Sequence, residues 1–279
     1  MPHARVNGLE LYYEVTGQGR PVVLAHGFSA TCRMWDGQVA AFRDRYRLIV
    51  YDARGQGRSE VPEEPAAFSQ PRMVEDLREL LRYLGVPRAC VGGLSMGGNV
   101  ALNFALEHPE MVDGLLVCDT GAGSDEPEHW AGKVRRWVHL LTTAGVEAFA
   151  ADYIEDPIMA HYARRGATER DFLWRAMTSN TAEGLARGLA GVVGNRPSLY
   201  ALKNRLQRVA VPTTIVVGDQ DDWCTKVSGF LAETIPNAEL ALIRNSGHMT
   251  NLEQPDQFND ALGRLLAGVD ARDKRSDRT

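Results

Sequence analysis

The sequence predicts an α/β protein whose central sheet is mostly parallel and is interrupted by one inserted helical segment. Short runs of β-branched and other apolar residues recur along the 279-residue chain and alternate with segments of helical periodicity. Several runs are apolar throughout, which is typical of parallel strands covered by helices on both faces. One long interval lacks such runs, and this interval is the predicted insertion.

Six apolar runs are the predicted parallel strands. In chain order they are "PVVLAHG" from Pro21, "RLIVYD" from Arg47, "RACVGG" from Arg88, "GLLVCDT" from Gly114, "TTIVVGD" from Thr213 and "AELALI" from Ala238. The earlier stretch "LELYYEV" predicts an antiparallel start to the sheet. Apolar residues repeat at helical spacing from Ser69 to Leu84, and again after Pro255, a residue suited to a first helical turn.

The interval from 124 to 206 contains no convincing strand and is rich in aromatic residues. A loop of that length would be implausible, so we expect a helical subdomain there. The predicted organisation is a core formed by 1–123 and 207–268, with a helical cap at 124–206. The stretch 269–279 is almost entirely charged or polar, and we expect it to be a disordered tail.

Composition and charge exclude several classes of function. The net charge of -5, with acids and bases nearly balanced, gives no electrostatic reason to expect binding to nucleic acid or to an anionic membrane. The N-terminus lacks the layout of a signal peptide, and no apolar stretch reaches membrane-spanning length. The four cysteines lie far apart, without paired zinc-ligand spacing, so we expect a cytoplasmic protein with reduced thiols and no metal.

The stretch "GGLSMGG" places one serine among four glycines directly after a predicted strand. Gly93, Ser95 and Gly97 form the G-x-S-x-G pattern, whose small residues permit a sharp turn from strand to helix. Such a turn strains the serine backbone and presents its hydroxyl at the positive end of the helix. Ser95 is therefore a candidate nucleophile, and the alternative is a glycine-rich turn that only links the two elements.

A serine nucleophile needs a base, usually a histidine that a carboxylate orients, and this type of turn has the chain order serine, acid, histidine. His248 is the one histidine that follows the resumption of the strands, so it is the candidate base. Carboxylates at strand ends are candidates for the acid, because sites gather at the carboxyl ends of parallel strands. Four residues meet this condition, and spacing leaves all of them open: Asp119, Asp219, Asp221 and Asp222.

From residue 6 to 267 the sequence resembles the α/β-hydrolase superfamily, specifically its serine hydrolases that carry a helical cap. Five motifs carry the resemblance in order: "HGF" at 26–28, "DARGQGRS" at 52–59, "GLSMGG" at 93–98, "GDQD" at 218–221 and "SGHMTNLEQP" at 246–255. Together with "DTGAG" and a following helix that bears tryptophan, the serine motif looks most like that of the 3-oxoadipate enol-lactonase and carboxylesterase group.

The resemblance implies a role for each residue of the site. The G-x-x-D spacing of the family's acid loop selects Asp221, which gives the triad Ser95, Asp221 and His248. Where the family often has a proline shortly after the acid, this chain has "DWCTK". The backbone amides of Phe28 and Met96 are the implied oxyanion hole.

A cap set over a cleft must present some of its aromatic side chains to the substrate, although most belong to its core. We expect Trp137, Tyr153 and Trp174 to contact the substrate. By contrast, we expect His26 to order the "HGF" loop through hydrogen bonds, and the "DARGQGRS" turn to be structural.

These features predict an enzyme that hydrolyses a small-molecule ester or lactone without metal or cofactor. Two alternatives remain, namely hydrolytic cleavage of a carbon-carbon bond in a ring-cleavage diketone and ligand sensing by a hydrolase-like receptor with little turnover. Ser95 argues against the related epoxide hydrolases and haloalkane dehalogenases, in which the nucleophile is an aspartate. NAD binding is not expected, because Glu60 replaces the final glycine of the fingerprint that "GQGRSE" imitates.

Overall fold

The computed structural model describes residues 2–276, with side chains through Arg272. Its eight strands are β1 (His3–Val6), β2 (Leu9–Thr16), β3 (Arg20–Ala25), β4 (Tyr46–Tyr51), β5 (Ala89–Leu94), β6 (Val112–Cys118), β7 (Thr213–Gly218) and β8 (Ala238–Ile243). They form one sheet in the order β1-β2-β4-β3-β5-β6-β7-β8. All six predicted parallel runs are strands of this sheet, and the predicted α/β class is confirmed.

The antiparallel start is also confirmed. Strand β2 pairs antiparallel with both β1 and β4, whereas every pairing from β4 through β8 is parallel. Strands β5 and β7 are buried along their whole lengths, which explains why their sequences show no polar alternation.

Helices cover both faces of the sheet, and their buried positions follow the apolar spacing in the sequence. The α-helices of the core are α1 (Asp36–Phe42), α2 (Gln70–Tyr83), α3 (Met96–Glu107), α9 (Thr225–Thr234), α10 (Thr250–Glu253) and α11 (Pro255–Ser276). Helix α2 begins after Ser69, whose hydroxyl accepts a hydrogen bond from the N–H of Arg72. Its apolar side chains Met73, Leu77 and Leu80 are buried, as their spacing predicts.

Between Cys118 and Thr213 the described residues form no strand. This interval holds the helices α4 (Pro127–Tyr153), α5 (Pro157–Ala163), α6 (Ala167–Thr178), α7 (Ala182–Gly188) and α8 (Lys203–Leu206). Helix α4 is interrupted at Gly145, whose φ of 86° is open to glycine but strained for other residues. The interruption divides α4 into two helical parts, both of which contribute aromatic side chains to the buried interior.

The topology brings the candidate residues to one edge of the sheet. Ser95 follows β5, Asp119 follows β6, Asp221 lies just beyond β7, and His248 lies in the loop after β8. Because these four strands are neighbours and parallel, their carboxyl ends lie side by side. The inserted segment that holds α4 to α8 follows β6, so the chain enters it from this same edge of the sheet.

The expected tail at 269–279 is wrong for its first part, because α11 continues through it. Val269 is 2% exposed and belongs to the core. The carboxylate of Asp270 accepts hydrogen bonds from Arg20 Nε at 2.8 Å and from the Tyr46 hydroxyl at 2.9 Å. Only 277–279 of the expected tail lie outside the described residues.

None of the helices in the described part of the chain is both long and apolar enough to cross a lipid bilayer.

We predict that Asp270→Ala lowers the free energy of unfolding by about 1 to 2 kcal/mol, because the half-buried Arg20 and the buried Tyr46 lose a shared acceptor. Denaturant unfolding measures the difference. Asp260→Ala is the control, since Asp260 is an exposed acid on the same helix. Equal losses in the two variants would show that the contacts of Asp270 contribute nothing.

Candidate active site

Ser95 lies at a sharp turn between β5 and α3. Its backbone has φ of 56° and ψ of -112°, a strained conformation for a residue other than glycine. Two glycines permit the turn: a Cβ on Gly93 would collide with the backbone of Gly97, and one on Gly97 would collide with the carbonyl oxygen of Ala25. The sequence pattern around the serine therefore has a steric cause, and the strained turn is present as predicted.

His248 and Asp221 form a buried pair. The Nδ1–H of His248 donates to Oδ2 of Asp221 at 2.7 Å, and the two residues are 2% and 3% exposed. Because Nδ1 is engaged in this way, Nε2 is the nitrogen available to another group. Ser95 and His248 line the same cavity, so the structure brings the three residues of the predicted triad together.

The carboxylate of Asp221 controls the charge of the imidazole. Burial by itself lowers the pKa of His248, but the negative charge and hydrogen bond of Asp221 act in the opposite direction, and the net pKa is raised above 6.5. Asp119 and Glu253 raise this pKa further. The site therefore favours the imidazolium that forms when the ring accepts a proton.

The other three candidate acids lie in different surroundings. Asp219 is exposed and accepts a hydrogen bond from the N–H of Ser246, while Asp222 is exposed beside an open surface groove. Asp119 is buried, and its carboxylate accepts hydrogen bonds from the N–H of Gly218 and the hydroxyl of Thr250. Of the described carboxylates, Asp221 is the one hydrogen-bonded to His248.

Asp119 supports the loops that carry the other two residues. Gly218 ends β7, immediately before the loop of Asp221, and Thr250 begins α10, two residues after His248. Burial raises the pKa of Asp119 well above its ordinary value, and the nearby charge of Asp221 raises it further. Both effects act against ionisation of Asp119, because a second buried negative charge beside Asp221 is unfavourable.

Glu253 is a functional candidate that the sequence reasoning missed. Its buried carboxylate accepts hydrogen bonds from the N–H groups of Gly247 at 2.9 Å and Met249 at 3.1 Å, the residues on either side of His248. His161 of α5 also contacts this carboxylate, which ties the histidine loop to the inserted helices. The available signal was the glutamate in "SGHMTNLEQP", five residues after the histidine.

The amides of Phe28 and Met96 have the surroundings that an oxyanion hole requires. Both residues line the Ser95 cavity, and neither N–H donates to another group of residues 2–276. His26 orders the loop as expected: its Nδ1 donates to the carbonyl of Gly27 at 2.7 Å, and its Nε2 accepts from the N–H of Ala53 at 2.9 Å. Two unpaired donors therefore lie at the cavity that contains Ser95.

The cavity over Ser95 is small, enclosed and mostly apolar. Its free volume is about 10 Å³, close to that of one water molecule. Its lining comprises Phe28, Ser95, Met96, Ala122, Trp130, Trp137, Tyr153, Ile158, Leu189, Val193, Arg196 and His248. This free volume is too small for an ester or lactone, so a substrate enters only when lining side chains or helices move.

Two of the three expected substrate contacts lie at this cavity. Trp137 and Tyr153 line it, and their rings pack edge to face with centroids 4.7 Å apart. Trp174 does not, because α6 buries Leu173 and Met177 and turns Trp174 outward, where it is 36% exposed beside Arg170. The expectation for Trp174 is therefore wrong. The spacing of apolar residues along the short helix α6 did not reveal which of its faces is directed towards the cavity.

Trp130 and Arg196 are lining residues that the sequence reasoning did not select. Trp130 packs against Trp137 and also against Trp223, which lies in the "DWCTK" segment after the acid. The tryptophan in this segment thus connects the loop of Asp221 to α4.

Comparison with known proteins decides the family. The sequence profile described as the alpha/beta hydrolase fold matches residues 20–255. This chain belongs to the α/β-hydrolase family. The hydrolase is 29% identical over 264 residues to 3-oxoadipate enol-lactonase 2 of Acinetobacter baylyi, covering 92% of each chain.

Two further similarities concern other hydrolytic activities. The α/β-hydrolase is 28% identical to the putative carbamate hydrolase RutD of Azorhizobium caulinodans, with 97% of this chain and 100% of that protein covered. It superimposes on a thermophilic esterase from Thermogutta terrifontis with a TM-score of 0.84 at 30% identity, covering 96% and 99% of the two chains. The predicted resemblance to the enol-lactonase and carboxylesterase group is confirmed.

One trio of side chains in the α/β-hydrolase has the spacing of a metal site. The ligand atoms of Asp221, Cys224 and His248 lie within 4.8 Å of one another. Burial raises the pKa of Cys224 well above its ordinary value, as do Asp221 and Asp119, so the thiol does not readily supply the thiolate that metals prefer. A cation bound by His248 Nδ1 would also displace its hydrogen bond to Asp221, so the trio fits a proton-transfer pair better than a metal centre.

We predict that Asp221→Asn lowers kcat of the α/β-hydrolase by on the order of a thousandfold or more, because the imidazole loses its orienting carboxylate. His248 must be neutral to accept a proton, so the parent's activity should rise with pH through a value above 6.5, its raised pKa. The variant should show this rise at lower pH, because burial without Asp221 lowers the pKa of His248. Rate profiles against pH measure both effects.

Asp222→Asn and Asp119→Asn are the controls, and both should cost far less activity. Asp222 is exposed and away from the cavity, while asparagine resembles in shape and charge the protonated form that burial favours for Asp119. A larger loss at Asp119 than at Asp221 would move the essential acid to the end of β6.

Proposed function

We propose that this α/β-hydrolase is a serine hydrolase that cleaves small carboxylic esters or lactones through an acyl-enzyme on Ser95. The observation that carries the proposal is the position of His248, which pairs with Asp221 at 2.7 Å and lines the cavity of Ser95. A strained serine, an oriented imidazole and unpaired backbone donors at one enclosed cavity are the parts that acyl transfer needs.

In the acylation step, Oγ of Ser95 attacks the carbonyl carbon while Nε2 of His248 accepts its proton. Asp221 holds the ring and stabilises the imidazolium. The carbonyl oxygen becomes an oxyanion, which the N–H groups of Phe28 and Met96 bind. Each such donor contributes roughly 3 to 4 kcal/mol to the stability of the transition state.

The tetrahedral intermediate collapses when the bond to the leaving oxygen breaks and His248 delivers its proton to that oxygen. The acyl group then remains on Ser95. Deacylation repeats the sequence with water: His248 accepts a proton from water, the hydroxide attacks the acyl carbon, and Ser95 recovers its proton from the imidazolium. In a lactone the alcohol and the acid stay in one product molecule.

Two observations support esters and lactones over other substrates. The relatives include an enol-lactonase and an esterase, both of which act on acyl–oxygen bonds. An alkoxide or enolate leaving group needs only a proton from His248, whereas cleavage of a carbon-carbon bond must also stabilise a carbanion-like group. The small, mostly apolar cavity favours short acyl chains over long lipids.

We predict that Ser95→Ala lowers kcat by about a millionfold while the protein stays folded, since no other group would form the acyl-enzyme. Ser228→Ala is the control, because it removes a buried hydroxyl for which the described part of the chain offers no hydrogen-bond partner. Circular dichroism checks the fold, and hydrolysis of an aryl acetate measures activity. Activity of Ser95→Ala within about tenfold of the parent would contradict the serine mechanism.

A substrate panel tests the proposed class. We predict higher kcat/KM for short aryl esters and enol-lactones than for a ring-cleavage diketone, and no loss of activity with a chelator. An aryl carbamate belongs in the panel because of the similarity to a putative carbamate hydrolase. A diketone preferred by more than about a hundredfold would contradict the ester assignment. A single stoichiometric burst without turnover would favour a receptor.

A further inference from the structure

Arg196 stands out among the side chains at the candidate active site. It lies between Val193 and the short helix that begins at Leu199, in the interval between β6 and β7. Among the described residues that line the Ser95 cavity it is the only lysine or arginine, and most of its neighbours there are apolar. Arg196 is half-buried, so its positive charge is partly desolvated against a mostly apolar lining, and desolvation is costly for a charge without a partner.

The described residues supply no counter-charge for this guanidinium. Its Nη2 donates to the carbonyl oxygen of Ala122 at 2.9 Å, and no carboxylate of the described residues lies within ion-pair distance. Arg54 provides a contrast, since its buried guanidinium binds both carboxylate oxygens of Asp76 at 2.6 Å. Most of the donors of Arg196 are therefore unused by the protein.

The ionisable groups nearest to Arg196 do not neutralise it either. Burial raises the pKa values of Tyr153 and Cys224 far above neutrality, so both side chains are uncharged at pH 7. Burial also lowers the pKa of Arg196 to about 10, which still leaves the guanidinium protonated at neutral pH. The guanidinium is therefore positively charged at neutral pH and has no carboxylate partner among the described residues.

Arg196 also lines a second cavity, which adjoins the first. This outer cavity has a volume of about 90 Å³, and it shares Ala122, Trp130, Val193 and Arg196 with the lining of the cavity over Ser95. The guanidinium thus stands at the wall between the two spaces. A substrate that binds this guanidinium through one of its groups reaches Ser95 with its other end once the wall between the two cavities moves.

We propose that Arg196 binds a carboxylate of the substrate, so that the substrate is an ester or lactone with a free carboxylate a few atoms from the scissile carbonyl. This inference rests on the proposed function. A planar guanidinium matches a carboxylate with two parallel hydrogen bonds, and one carboxylate neutralises its single charge. A phosphate dianion would place two negative charges against one guanidinium, since the described linings of the two cavities hold no other lysine or arginine.

Two matched esters test the proposal. Mono-(4-nitrophenyl) succinate carries the free carboxylate, and 4-nitrophenyl methyl succinate has the same leaving group and acyl chain without the charge. We expect Arg196→Gln to lower kcat/KM for the charged ester by about tenfold to a hundredfold, and for the neutral ester by less than about threefold. Arg196→Lys should recover part of the loss, because it keeps the charge but not the paired hydrogen bonds.

Arg135→Gln is the control for a change of net charge, because Arg135 is an exposed arginine of α4, in the same inserted region. It should leave the ratio of the two kcat/KM values unchanged. Equal effects of Arg196→Gln on the two esters, or no preference of the parent for the charged ester, would overturn the proposal.

A binding measurement separates this proposal from the hydrolase proposal. Monomethyl succinate and dimethyl succinate are titrated by calorimetry into Ser95→Ala and into the double variant Ser95→Ala, Arg196→Gln. We expect the charged ligand to bind the first protein at least about tenfold more tightly than the second. If the parent hydrolyses neither ester, the proposed function is wrong, and the calorimetry still decides for or against Arg196. Equal binding to both proteins would overturn the assignment.

Discussion

The hydrogen bond between Asp221 and His248 joins two loops that follow neighbouring strands, and the rest of the site is arranged around it. An isolated buried ion pair is costly, so its geometry has to be held by other groups. Asp119 holds the end of β7 and the start of α10, while Glu253 binds the amides on both sides of His248. The carboxylates of Asp119 and Glu253, which have no direct role in substrate binding, thus fix the position of the His248 imidazole.

The inserted helices do more than cover the sheet. Phe28, which lines the Ser95 cavity, packs its ring against Phe149 and Tyr153 of α4 with centroids 6.1 Å and 6.3 Å apart. Trp130 similarly connects α4 to the acid loop through Trp223. Movement of α4 would therefore shift the loops of Phe28 and Asp221 together. The apolar lining of the cavity lowers the local dielectric, which strengthens electrostatic interactions inside it.

Local patterns predicted most of the fold and several residues of the candidate site. The apolar runs of β3 to β8 and the glycines around Ser95 are readable because burial on both faces and a steric turn each demand particular residue types in consecutive positions. The same periodicity extends past Leu266 to Val269, three residues further along α11, but the surrounding charges masked it. Asp270 gave no such signal, because its partners Arg20 and Tyr46 are distant in the chain.

The sequence by itself determined the α/β class, the strained serine turn, and the order serine, acid, histidine, since each depends on short-range steric or chain-order rules. Strand-end position alone left four carboxylates open and the family resemblance selected Asp221, but only the tertiary structure shows which carboxylate meets His248, because the four differ in how their loops bend. It also decided which aromatic side chains face the cavity, since the break at Gly145 and the rotation of α6 set these directions. The isolation of Arg196 is likewise a tertiary property, because the lack of a counter-charge depends on every residue packed around it.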